Sequence, residues 1–274
     1  MKASFYLLAL CFTSIFLYSD PKEDDRTLAV LYAQSSAEHM ASSIQTFQTM
    51  QRLLSIAIAD ESWNALVDLP SNPSNPSNPP AIILDVDDTV LDNSPFEARV
   101  VKTGKNYPIG WDEWCKEAQA DAVPGVVDFL KEATRMGVTI FYVTNRKAHL
   151  EDATRMNFKK LGIPLEETFD NLLTRNENGW TSNKTPRREL IAEKYRVIFQ
   201  VGDNLGDFVD DEEHTISSSA RKESVRKYQE HWGKTWFVIE NPTYGDWEGS
   251  LYNYDFNQPR SVISDIRRKA LDEK

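Results

Sequence analysis

Three acids within four residues close the apolar run Ala81-Ile82-Ile83-Leu84: Asp85, Asp87 and Asp88, followed by Thr89. Carboxylates this close repel one another unless a cation lies between them. A hard divalent ion on oxygen ligands meets that need and leaves one carboxylate free to attack an electrophile. Acids return after a second apolar run, in Phe199-Gln200-Val201-Gly202-Asp203-Asn204-Leu205-Gly206-Asp207-Phe208. A third run, Phe141-Tyr142-Val143-Thr144-Asn145-Arg146, ends in hydroxyl and amide donors, and Lys184 lies in a loop between the two. Together these residues describe phosphoryl transfer. A phosphate monoester meets a carboxylate nucleophile only if its charge is neutralised, by a metal on carboxylates and by Lys with Thr or Asn donors. The nucleophile forms an aspartyl-phosphate that water hydrolyses, while a carboxyl two residues on protonates the leaving oxygen and later deprotonates the water.

Each piece has a plainer reading. Asp85 to Thr89 could cap a helix, Gly202-Asp203-Asn204 could be a turn, and Lys184 could be a solvated loop lysine. The weight comes from all four occurring in order. A calcium loop of the EF-hand type is excluded, because Val90 and Phe96 stand where Gly and Glu are required. There is no Walker loop, no dinucleotide glycine fingerprint and no Gly-x-Ser-x-Gly elbow. His39, His149, His214 and His231 lack zinc-ligand spacing.

The elements that must hold these residues alternate. Strands are predicted at Ile82–Val86, Val138–Val143, Asn171–Leu173, Val197–Val201 and Trp236–Ile239. Helices are predicted at Val126–Met136, Leu150–Leu161, Arg187–Tyr195 and Ala220–His231. That pattern means an α/β fold, a Rossmann-like parallel sheet with helices on both faces, with the acids at the carboxyl ends of strands where such sheets bind ligands. The stretch Asp92 to Ala122 reads as an irregular aromatic overhang, and Asn241 to Glu248 as an aromatic loop. Residues 81–274 therefore form the catalytic core with an aromatic tail. Ahead of it, residues 26–68 lack Pro and Gly and carry helical periodicity, and residues 69–80 form a Ser-Asn-Pro linker.

With 274 residues the chain can bury a substantial core, and its net charge of -11 argues against a nucleic-acid polymer as partner. Residues 1–19, one lysine and an apolar run to Tyr18, read as a signal peptide or signal-anchor, since about 16 apolar residues fall short of the roughly 20 of a spanning helix. Lipidation of Cys11 is the minority reading, because Leu10 is not small. Export leaves Cys115 without an intrachain disulfide partner.

The motif Asp85-Val86-Asp87-Asp88-Thr89-Val90-Leu91-Asp92-Asn93-Ser94-Pro95 and the motif Val201 to Phe208 resemble those of the haloacid dehalogenase (HAD) superfamily. More narrowly the chain is similar to the secreted class C acid phosphatases and 5'-nucleotidases of bacteria, through Gln34-Ser35-Ser36-Ala37-Glu38 and Asn241-Pro242-Thr243-Tyr244-Gly245-Asp246-Trp247 as well. The resemblance implies Mg²⁺ as cofactor, Asp85 as nucleophile and metal ligand, and Asp87 as acid/base that also offers its backbone carbonyl to the metal. It implies Asp203 as a direct ligand, Asp207 as holder of a metal-bound water, and Thr144, Asn145 and Lys184 as phosphate binders. It also implies a small helical lobe from the N- and C-terminal segments, and aromatic stacking of the substrate ring. Phe96, Trp111 and Tyr244 are the stacking candidates, whereas Trp114 is expected to pack in the core. Two departures stand out: Asp88 replaces the usual Glu, and Phe96 the usual Tyr. The expected protein is an exported, periplasmic, secreted or outer-membrane-associated phosphomonoesterase acting on small phosphate monoesters such as nucleoside monophosphates. A phosphotransferase on the same site, or a non-catalytic surface or storage protein on the same fold, are the alternatives. A homodimer and membrane attachment through the N-terminus stay open.

Overall fold

The computed structural model describes residues 24–69, 75, 77–210 and 217–274. The leader reading and most of the Ser-Asn-Pro stretch fall outside these residues. Five parallel strands form one sheet in the order β3-β2-β1-β4-β5. They are β1 (Pro80–Leu84), β2 (Thr139–Lys147), β3 (Leu172–Arg175), β4 (Arg196–Gly202) and β5 (Trp236–Val238). β1 and β4 are continuous apolar runs because both faces of the sheet are covered. Alternate residues go to opposite sides: Ile82, Leu84, Ile140 and Tyr142 join one core, and Ala81, Ile83, Phe141 and Val143 the other.

The helices are α1 (Thr27–Ser35), α2 (Ala37–Ala59), α3 (Ser94–Thr103), α4 (Trp111–Glu117), α5 (Val126–Arg135), α6 (Glu151–Leu161), α7 (Thr185–Ala192), α8 (Ser218–Lys227) and α9 (Arg260–Lys269). α2 starts where Ser36 accepts a 3.1 Å bond from the His39 amide, a conventional N-cap. Its buried face carries Phe47, Met50, Leu54 and Ala57, and Phe47 packs on Phe129 of α5 with ring centroids 5.8 Å apart. Burying each of the larger side chains contributes about 1.5–3 kcal/mol, so the N-terminal segment is docked on the core.

Four sequence expectations shift. The helical segment 26–68 ends at Ala59; residues 60–69 form an irregular strap. Trp63 donates to the Ile198 carbonyl and the Ala65 amide to the Val197 carbonyl. Long-range pairing with β4 there outweighs helical propensity. Pro80 already belongs to β1, one residue inside the expected linker. The stretch 92–122 is largely helical. α3 begins with Pro95 in its first turn and stops at Gly104 in the left-handed region, while α4 is bracketed by left-handed Gly110 and Ala118. Helices this short carry too few periodic positions to be read from sequence. Finally, β2 runs to Lys147, past its expected end at Val143, because it continues beside β3 up to Arg175.

The N- and C-terminal segments meet in a small helical lobe beside the sheet's carboxyl edge. Arg260 pairs with Asp24, and Arg267 of α9 reaches Asp25 and Glu248, each at 2.5 Å.

Candidate active site

Asp85 is the first residue after β1, and its amide donates to the Val201 carbonyl of β4 at 2.9 Å. The chain then turns sharply. The amides of Val90 and Leu91 both return to the Val86 carbonyl, and Asp88 takes a φ of 54°. The turn throws Asp87 and Asp88 over the sheet edge. Asp203 follows the last residue of β4, and Asp207 comes one short turn later.

Asp85, Asp203 and Asp207 present carboxylate oxygens that all lie within 4.8 Å of one another. Lys184, at the start of α7, bridges two of them: its Nζ binds Asp85 and, at 2.6 Å, Asp207. Burial pushes Asp85 up to about 7 against the pull of the Lys184 ammonium, with Asp207 and Asp87 adding to the rise. Burial, with Asp207 and Asp85 as neighbours, lifts Asp203 well above the usual carboxylate range. Burial lowers Lys184, but Asp207 and Asp85 outweigh it and raise the ammonium above its ordinary value. Acids crowded until they resist ionising, all presenting oxygen, fit a hard divalent cation.

Supporting contacts fix each acid. Asp207 Oδ2 accepts from the Asn204 amide at 2.9 Å, and Asn241 donates to Asp203 Oδ2 at 2.8 Å. A Cβ on Gly202 would stand 2.1 Å from Asp207 Oδ2, so only glycine allows this approach. Asp87 Oδ1 receives Arg146 Nε at 2.9 Å and Asn93 Nδ2 at 2.8 Å. Trp114 Nε1 donates to Asn93 Oδ1 at 2.8 Å, so the tryptophan is a core residue, as expected, that also orients Asn93.

The phosphate-side residues separate. Asn145 and Lys184 line the cleft above the acids. Thr144 is wholly buried and uses its Oγ1 to accept the Arg146 amide at 3.0 Å. Behind them lies Arg187, fully buried and unnoticed in the sequence. It donates to the Thr144 carbonyl at 2.6 Å and to Asn145 Oδ1 at 3.0 Å. With Oδ1 engaged, Asn145 presents its Nδ2 donors to the cleft. Burial lowers Arg187 to about 10, with Asp85 and Asp207 opposing the fall.

The cleft has a volume of about 720 Å³. Phe96, Trp111 and Tyr244 all line it. Phe96 and Trp111 meet edge to face at 5.0 Å, and the Arg146 guanidinium lies 5.5 Å from the Trp111 ring. Tyr107, which the sequence reading did not single out, adds a largely exposed ring 5.9 Å from Trp111. Arg146 ends one of the motifs, so its position was legible although its role was not. Asn93 and Asn241 likewise stand in quoted motifs without a role read for them, whereas Arg187 carries no signal apart from its place in the fold.

A family model described as HAD superfamily, subfamily IIIB (Acid phosphatase) matches residues 23–247. The structure is similar to that of the Class C acid phosphatase from Bacillus anthracis, at 36% identity and a TM-score of 0.80, covering 92% of this chain and 98% of that one. The same enzyme with tungstate bound matches at 35% identity and a TM-score of 0.80, covering 92% and 99%. Among curated relatives, a stem 31 kDa glycoprotein of Glycine max is 27% identical over 135 residues, 47% of this chain and 52% of its own. A stem 28 kDa glycoprotein of the same plant is 26% identical over 137 residues, 46% and 52%. The chain thus spans about half the length of the curated relatives it matches. The family match, the parallel sheet and the acids gathered at its carboxyl edge lead to one statement: this chain belongs to the HAD superfamily, subfamily IIIB, the acid phosphatases.

Proposed function

We propose that this chain is an exported, Mg²⁺-dependent acid phosphatase that hydrolyses phosphate monoesters, nucleoside monophosphates among them, through a phosphorylated Asp85. The observation that carries the reading is the cluster of Asp85, Asp203 and Asp207 with Lys184 Nζ bridging two of its members. Export rests on the leader at residues 1–19 and nucleotide preference on the aromatic lining of the cleft.

Asp85, Asp203 and Asp207 would hold the metal, which when bound neutralises phosphate oxygens and offsets the repulsion among the acids. Asp85 attacks phosphorus as the bond to the leaving oxygen breaks. Asn145 Nδ2 and Lys184 Nζ stabilise the charge on the transferring group. Asp87 gives the leaving oxygen its proton, then takes one from the water that hydrolyses the aspartyl-phosphate. The bonds from Arg146 and Asn93 both fall on Asp87 Oδ1, which leaves Oδ2 for proton transfer.

The test is phosphate release from AMP, nicotinamide mononucleotide and a non-aromatic sugar phosphate, with Mg²⁺ and with EDTA. Metal-dependent release favouring the nucleotides is the expected result. Equal release from all three removes the nucleotide preference, and no release from folded protein overturns the enzyme. Asp85→Asn should lower kcat by at least about a thousandfold, as loss of a covalent nucleophile does, with an unchanged circular dichroism spectrum. Retained turnover in that variant would sink the covalent mechanism.

A further inference from the structure

Glu97 of α3 lines the cleft and has no part in the proposed chemistry. It is 6% exposed, it lines the same cleft as Asp85 and Phe96, and its carboxyl makes no hydrogen bond or ion pair among the described residues. Its charged neighbours Arg26 and Glu248 bind other groups. Arg26 binds Asp24 at 3.0 Å and Asn106 at 3.2 Å. Glu248 Oε1 accepts from Arg267 at 2.5 Å and from Tyr252 at 3.1 Å. Burial pushes Glu97 up to about 7, Arg26 opposing and Glu248 and Asp24 adding.

A largely buried carboxyl with no protein partner, open only towards the cleft, calls for a partner that enters the cleft. Contacts lead from the chemistry along the aromatic wall of the cleft. Asp87 binds Arg146, Arg146 lies over Trp111, and Trp111 meets Phe96. Glu97 lines the same cleft as these rings, so a ring stacked on them has Glu97 as a carboxyl neighbour in the wall.

We propose that Glu97 is a specificity residue that accepts a hydrogen bond from the leaving group, namely the amino or carboxamide N–H at the edge of an aromatic base. This rests on the phosphatase reading above. It commits the site to substrates whose ring carries an N–H donor on the side away from the phosphate, and once Glu97 has lost its proton it selects against rings carrying a carbonyl there, since two acceptors repel. Asp24, Asp25 and Glu248 are each engaged with a guanidinium group, whereas Glu97 has neither carboxyl oxygen engaged among the described residues.

The experiment compares Glu97→Ala and Glu97→Gln with the unaltered chain on AMP, IMP and 4-nitrophenyl phosphate. IMP replaces the amino group of AMP by a carbonyl, and 4-nitrophenyl phosphate has no N–H donor. In Glu97→Ala the ratio of kcat/KM for AMP over 4-nitrophenyl phosphate should fall about tenfold, chiefly through KM, the size of one lost hydrogen bond to a charged or polar acceptor. The preference for AMP over IMP, read at about pH 8 where Glu97 is ionised, should vanish with it. Glu97→Gln, which keeps an acceptor oxygen but adds an amide donor, should recover part of the first ratio and none of the preference over IMP. An equal fall for AMP and IMP assigns the contact to the ribose and overturns the base-edge proposal, as does no change in either ratio. Calorimetric binding of adenosine and inosine to the same proteins needs no turnover. A weaker adenosine complex in Glu97→Ala supports the proposal even if the catalytic reading fails. Equal binding of the two nucleosides by the unaltered chain defeats the proposal without touching the phosphatase.

Discussion

Tyr244 donates its phenolic hydroxyl to Asp88 Oδ2 at 2.5 Å, across 156 residues of chain. The bond ties the aromatic tail to the turn that carries Asp85 and Asp87, the proposed nucleophile and acid/base. Asp88 Oδ1 meanwhile accepts the Asn93 amide at 2.9 Å, so both oxygens of the carboxyl brace the turn. Burial pushes Asp88 up to about 8, with the Tyr244 and Asn93 bonds pulling against it. The resemblance leads one to expect Glu at position 88; the shorter Asp88 that stands there has the tail tyrosine as its partner. Tyr244 thus lines the cleft with its ring while its hydroxyl is committed elsewhere.

Tyr244→Phe keeps the ring and removes the bond. It leaves one part-buried carboxyl oxygen of Asp88 without its donor, a loss of about 1–3 kcal/mol. Thermal unfolding should show the lower stability, and kcat should fall for every substrate alike because the turn holding Asp87 is loosened. A fall confined to nucleotides would mean that the ring alone matters.

Gly202→Ala should displace Asp207. The added carbon would collide with a side chain that is held by the Asn204 amide and by Lys184. The expected result is a metal requirement raised by about 10–100-fold, the usual cost of disturbing the support of a ligand. Titration of activity with Mg²⁺ reads this directly. An unchanged half-saturating concentration would show that Asp207 plays no part in metal binding.

Arg187→Lys tests the orientation of Asn145. A lysine cannot reproduce the fork that reaches the Thr144 carbonyl and Asn145 Oδ1 together. KM for AMP, IMP and 4-nitrophenyl phosphate should rise by a common factor of about ten, the size of one misplaced hydrogen bond. Inorganic phosphate should inhibit correspondingly less well. A change limited to kcat would point instead to the electrostatic influence of the guanidinium on Asp85.

Glu97 gives a pH dependence with a defined sign. Its folded pKa, about 7, lies above the ordinary 4.5. Above pH 4.5 the unfolded chain loses this proton while the folded chain keeps it, so stability falls as pH rises towards 7 and then levels off. The full difference is up to roughly 3 kcal/mol. Glu97→Gln abolishes this contribution. Its melting temperature should therefore gain on that of the unaltered chain between pH 4.5 and 7 and stay higher above that. Parallel melting curves across the window would show that Glu97 is ionised in the folded protein.

The residues of the chemistry were legible because they stand in short motifs tied to strand ends. Asp85, Asp87, Asp203 and Asp207 follow two apolar runs whose continuity already marks buried parallel strands, and the strand order only brings them together. Lys184 was legible by its place between motifs, and the structure joins it to two of the acids. Alternation along the chain likewise fixed the α/β class. Other features depended on contacts between distant segments. The strap 60–69 leaves the helix because Trp63 and Ala65 find partners on β4. Thr144 turned inward to the Arg146 amide, while Asn145 was oriented by an arginine 42 residues away. The pairing of Tyr244 with Asp88 and the lack of a partner for Glu97 among the described residues arise the same way. Local sequence determines which groups are present and which strand end carries them, since periodicity and turn chemistry act over a few residues. Which oxygen is engaged, which amide faces the substrate and which carboxyl is left without a partner are decided by packing, because each depends on a second group that only the folded chain brings within hydrogen-bond reach.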